Sequence, residues 1–178
     1  MLSSLLKKKL SANQFANIFI NAVFEATENG FEVISDMINN DPAFVTSPNI
    51  QKEDFQKFQL IILAANFNNL DKYFEISEKE NIKAAIVEKL STIFNVETKN
   101  ILEVINHYYS FIGKVNHPSK TLLYGISKAI FFKYDLKDFQ DEYFRRMQAP
   151  NPLFLKRLDA IMENFLWDWS IFMKRYRF

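Results

Sequence analysis

Cysteine is absent from the 178 residues of this chain, histidine occurs twice, glycine three times and proline five times. The first absence excludes a disulfide framework and thiolate chemistry, and it fits a reducing, cytoplasmic setting. The shortage of histidine thins the supply of metal ligands and of general acids and bases. Charge of one sign is also lacking: 22 basic residues face 21 acidic ones, a formal net charge of +1. No global field therefore draws the chain to nucleic acid, and no nucleic-acid partner is expected. Long apolar runs are missing too. The longest, Leu60 to Ala65, is far below the roughly 20 residues that span a bilayer. At the start, apolar residues precede Lys7, Lys8 and Lys9, the reverse of a secretory signal, so export is not expected.

What is present is core material. Apolar residues make up 48% of the chain, and 19 residues are Phe, ample for one buried core in a chain of this length. Apolar residues recur at i, i+3 and i+4 nearly throughout, while the alternation of a half-buried strand is absent. The expectation is an all-α fold, an irregular bundle of about seven to eight helices in a single domain over residues 1–178. Residues 1–10 form an amphipathic segment within it, either mobile or docked.

Local signals place the helices. Ser11 with Gln14 is a capping box, opening a helix with Phe15, Ile18, Phe19, Ala22, Val23 and Ala26 on one face. Past Asn29-Gly30 the stripe of Phe31, Ile34 and Ile38 sits about 100° further round, which predicts a break at Gly30 and a short second helix to Asn39. Asp41-Pro42 and Ser47-Pro48 bracket an extended connection, with Phe44 and Val45 tucked inward. A helix over Glu53 to Phe74 contains the longest apolar run and should be the most buried. Ser77 with Glu80 predicts a capping box for a helix turning Ile82, Ala85, Ile86, Leu90 and Ile93 inward. The next, Thr98 to Gly113, turns Ile101, Leu102, Ile105, Tyr108, Tyr109 and Ile112 inward, with Gly113 as terminator. Ser119 to Tyr134 reads as a central helix touched on several sides. Asp135 caps a shorter one with Phe139, Tyr143 and Met147 inward and Asp141–Arg145 and Glu142–Arg146 as surface pairs. Asn151-Pro152 starts the last helix, which runs to Arg175.

Motifs of chemistry are few. His107 and His117 lack the Glu-x-x-His spacing of a di-iron bundle, and a wheel puts Glu103 and His107 on the solvent side. Gly125-Ile126-Ser127-Lys128-Ala129 has the outline of a nucleophile elbow but no strand before it, so Ser127 is structural and Gly125 admits a close helix. Glu25, Glu28, Glu32 and Asp36 form an acidic strip only on an unbroken helix, and read as a solvated face. Leu2, Leu5, Leu6 and Leu10 beside three Lys suit a membrane or partner surface, but packing on the chain's own domain is the simpler expectation. Lys174, Arg175 and Arg177, interleaved with Tyr176 and Phe178, complement a helix C-terminus as readily as a phosphate.

The last helix is the most informative. Opposite its broad apolar arc, Leu153, Ala160, Trp167 and Ile171 fall among polar positions. Leu153, Trp167 and Ile171 are therefore the candidate partner surface, covered either by the chain's own elements or by another molecule. No catalytic, metal or cofactor residue is assigned, and no cofactor is expected. The leading expectation is a non-catalytic helical interaction protein, simplest as a homodimer. The alternative is a carrier of an apolar ligand inside the bundle. An enzyme would require groups such as Asn66, Tyr108 or Tyr124 to converge in a cleft.

Overall fold

The computed structural model describes residues 7–177, the side chain of Ser170 excepted. Within them the chain forms a bundle of eight α-helices: α1 (Ala12–Asn39), α2 (Phe55–Asn69), α3 (Ile76–Phe94), α4 (Thr98–Val115), α5 (Leu122–Lys133), α6 (Glu142–Met147), α7 (Pro152–Met162) and α8 (Trp169–Arg175). Among the described residues strand is confined to two short segments, β1 (Lys8–Lys9) and β2 (Tyr176–Arg177), paired in parallel. Helix α2 sits at the centre, against α1, α4 and α5, while α3 lies across α1 and α4, and α5 packs on α7.

The caps that depend only on neighbouring residues form as the sequence implies. Ser11 Oγ accepts from the Gln14 N–H at 3.3 Å, and Gln14 Oε1 accepts from the Ser11 N–H at 3.0 Å. Asn151 Oδ1 accepts from the Leu153 N–H, with Pro152 at the first helical position. The central run also behaves as expected: α2 buries Phe58, Ile61, Ile62, Leu63, Ala64 and Ala65. Each large apolar side chain so buried contributes on the order of 1.5–3 kcal/mol relative to exposure.

Elsewhere long-range packing overrides the local signal. Helix α1 runs unbroken through Gly30. The rotation of its stripe is real, but it follows a change of partner rather than a break: Phe15 and Phe19 meet Trp167, whereas Phe31 meets Phe55 and Phe58. A Cβ on Gly30 would lie only 2.4 Å from the edge of the Phe165 ring, so glycine is there to seat that ring. Gly125 likewise lets α5 close on α4, since a Cβ would lie 3.0 Å from Ile112 and the Asn116 side chain.

Further boundaries differ from expectation: α2 ends at Asn69, followed by a 3-10 turn over Leu70–Lys72, short of Phe74, and α5 starts at Leu122 rather than Ser119. Helix α3 begins at Ile76, before Ser77, and Glu75 at its cap position makes no side-chain hydrogen bond, so the Ser77–Glu80 box does not form. Helix α4 passes Gly113 and ends at Val115. Asp135 adopts a left-handed backbone before a 3-10 turn over Leu136–Phe139, and Asp141 then caps α6 by accepting from the Phe144 N–H. Tyr143 and Met147 consequently face solvent, as does Val45 in the extended connection. Glu142 and Arg146 do pair.

The expected helix from Asn151 to Arg175 is interrupted. After a 3-10 turn over Glu163–Phe165, Leu166 is extended and Asp168 caps α8 by accepting from the Ile171 N–H at 3.1 Å. Asn66 enforces the interruption from α2: its amide donates to the Phe165 carbonyl at 2.8 Å, and its Oδ1 accepts from the Trp167 N–H at 2.8 Å. Two backbone groups that a continuous helix would satisfy are thus satisfied from outside it. The chain then turns back over the start of α1, and the Leu10 N–H donates to the Arg177 carbonyl at 2.9 Å. Leu10 is buried. Among its described residues, the segment over 1–10 thus packs on the chain's own domain through this extended pairing; Leu2, Leu5 and Leu6 lie outside the described residues.

Candidate functional site

The clearest unfinished surface lies at the corner between α3 and α4. Helix α3 ends where Asn95 takes a left-handed backbone (φ 52°), and its N–H and that of Val96 both donate to the Ser91 carbonyl. This closed turn fixes a projecting knuckle of Ile93, Phe94 and Val96, with Phe94 47% exposed although its ring rests on Phe24 at 6.0 Å. Phe94 and Val96 of the knuckle form one edge of an open groove of about 340 Å³. Leu60 and Leu63 of α2, Leu90 and Phe94 of α3, Val96 of the turn, and Ile101, Val104 and Ile105 of α4 form its apolar walls. Its polar lining is Gln56, Gln59 and Asn100, so no charged side chain enters it.

One wall is held from across the bundle. The Tyr134 hydroxyl donates to the Asp54 carbonyl at 2.8 Å and accepts from the Phe58 N–H at 3.1 Å, fixing the first turn of α2. Burial pushes this phenol well above its ordinary pKa, so it stays protonated and keeps both bonds. Helix α4 is the opposite wall. It buries only Ile105 and Ile112, leaving Leu102, Val104 and Tyr109 substantially exposed. The inward assignment of Ile93, Leu102 and Tyr109 is thereby corrected. A helical wheel reports that these positions are apolar, not whether the chain has another element to lay on them. Along the solvent crest of α4, Glu103 pairs with Lys99 at 3.8 Å, and His107 is exposed.

Asn66, Tyr108 and Tyr124 line no common cleft among the described residues. Asn66 is spent on bracketing the chain before α8. Tyr108 lies under Lys133, whose ammonium stands 4.7 Å from the ring centroids of Tyr108 and Phe111. Tyr124 lines a separate cleft of about 410 Å³ with His117, Lys128 and Asp159. Burial raises the Asp159 carboxyl above the usual range, opposed by the Ser127 hydroxyl, and burial raises Tyr124 while lowering Lys128. Lys128 donates to the His117 backbone carbonyl at 2.8 Å, not to its ring. Ser127 is fully enclosed, out of reach of a substrate. The strip of Glu25, Glu28, Glu32 and Asp36 does share the unbroken α1 and is exposed throughout. Among the described residues no group of three His, Cys, Asp or Glu is placed to hold a metal ion, and no helix is long and apolar enough to cross a membrane.

Leu153, Trp167 and Ile171 are distributed by the interruption after α7. Leu153 is 63% exposed on α7 and Ile171 50% exposed on α8. Trp167 lies between these helices and is partly covered by Phe15, Phe19, Trp169 and Phe172, with centroids 5.4–6.4 Å away. The signal for the interruption was Asp168, an N-cap residue inside an otherwise helical pattern. No protein-family model, curated protein or solved structure matches this chain.

Proposed function

We propose that the protein is a non-catalytic binding domain that pairs with a second copy of itself through the α3–α4 corner. The observation that carries this reading is an apolar groove edged by its own exposed apolar residues, Phe94 and Val96, held on a closed turn. A two-fold contact presents one patch to itself, so a patch holding both a projection and a recess complements its own copy. The uncharged lining supports the same reading. Identical charged patches brought face to face repel, whereas Gln56, Gln59 and Asn100 both donate and accept hydrogen bonds. The groove opens at the surface, while the Phe-rich interior is filled by rings in mutual contact, such as Phe58 on Phe165 at 5.0 Å. This favours a partner surface over an internal ligand chamber.

Sedimentation velocity from micromolar to near-millimolar protein tests the proposal. The expected result is a concentration-dependent dimer that Val104→Asp weakens by about tenfold or more, as for a buried interface anchor, with an unchanged circular dichroism spectrum. A strict monomer overturns it. So does a dimer indifferent to both Val104→Asp and Phe94→Ser, or an apolar small molecule that co-purifies with a monomer and is lost in Val104→Asp.

A further inference from the structure

Pairing of the two chain ends gathers charge that the composition conceals. Lys8 stands opposite Tyr176 and Lys9 opposite Arg177 in the parallel pair, with Lys174 and Arg175 in the preceding turn of α8. All five basic side chains, Lys8, Lys9, Lys174, Arg175 and Arg177, are exposed, and among the described residues none is in an ion pair. In a chain whose net charge is only +1, this is a strong local asymmetry. Ile171 belongs to the same face of α8 as Lys174 and Arg175, by i, i+3 and i+4 spacing, and is half exposed. Tyr176 is not available there, because its ring packs on Phe172 at 4.8 Å.

We infer that this terminal patch is a contact surface for an anionic lipid bilayer, in which the five cations meet headgroups and Ile171 enters the acyl boundary. A basic cluster alone fits any phosphate polymer. An exposed aliphatic side chain set among the cations gains nothing from a nucleic acid, but it is rewarded where anionic headgroups overlie hydrocarbon. Single-strand recognition further relies on aromatic side chains free to stack on bases, and the patch's one described aromatic ring is already engaged. Contact of this kind is peripheral: charges act within a Debye length, about 8 Å at physiological salt, and one aliphatic side chain adds little area. Binding should therefore be reversible and sensitive to salt.

Vesicle co-sedimentation of the full chain tests this. Phosphatidylcholine vesicles with a third of phosphatidylserine are expected to capture the protein at low salt and release it at high salt, and pure phosphatidylcholine to leave it in solution. Lys8→Glu/Lys9→Glu should weaken capture by about thirtyfold or more, given the contribution of each basic residue near an anionic surface. Ile171→Ser should weaken it several-fold without changing its salt dependence. A second reversal, Lys174→Glu/Arg175→Glu, keeps the test decisive if the first disturbs β1. Equal capture by neutral vesicles, no capture by either, or capture unaffected by both reversals overturns the inference. So does binding to a duplex or single-stranded oligonucleotide at salt that abolishes vesicle capture.

Discussion

Two aromatic regions border the long helix α1 and meet opposite fates. Toward its start, Phe15 and Phe19 are roofed by Trp167, Trp169 and Phe172, with Trp169 stacked 5.8 Å from Phe15 and Phe74 edge-on to Trp169 at 5.3 Å. Further along, Phe24 supports Phe94, and there the covering stops, with Phe94 and its neighbours Ile93 and Val96 in partial contact with solvent. The side chains are of the same kind in both places. The difference is that the chain returns across the first region, by way of the interruption that Asn66 holds, whereas no described element returns across the second. Apolar composition decides what must be covered, and the path of the chain decides whether it is covered from within.

The comparison breaks most sharply at Trp169. Trp169→Ala should remove about 3–5 kcal/mol of stability, the usual cost of deleting a large buried aromatic, read from the denaturant midpoint at constant slope. A loss below about 1 kcal/mol would mean that the roof over Phe15 is loosely held. A smaller effect is expected at Gly30. Alanine is the better helix former by up to about 1 kcal/mol, but its Cβ displaces Phe165 from Phe58, and overpacking costs about 1–3 kcal/mol, so Gly30→Ala should be a net loss by thermal unfolding. An increase in melting temperature would show that the ring yields freely. The smallest stability change belongs to the open region: Val104→Asp should leave unfolding of the isolated chain within about 0.5 kcal/mol while acting on self-association. A large loss there would place Val104 in the core.

Much of the fold was legible because its determinants are local. The Ser11–Gln14 box, Asn151-Pro152 and the apolar run of α2 each specify structure through residues a turn apart. What stayed hidden depends on residues distant in sequence. Gly30 reads as a terminator unless Phe165 is known to lie against it, and Trp167 reads as part of a continuous helix unless Asn66 is known to bridge Phe165 and Trp167. The same reason kept the α3–α4 corner out of sight. Ile93, Leu102 and Tyr109 continue apolar stripes that are otherwise covered, and a stripe carries no mark of where cover ends. Likewise the terminal basic patch exists only because Lys9 and Arg177, at opposite ends of the chain, stand in register.

The most direct test of the α3–α4 corner as a self-association surface uses the absence of cysteine. A single nitroxide on Glu103→Cys, at the exposed crest of α4, reports only distances between copies in a pulsed dipolar measurement. A narrow distance distribution whose amplitude rises with protein concentration and vanishes in Val104→Asp is the predicted result. A featureless decay at every concentration, or an identical distribution with Val104→Asp, would contradict it.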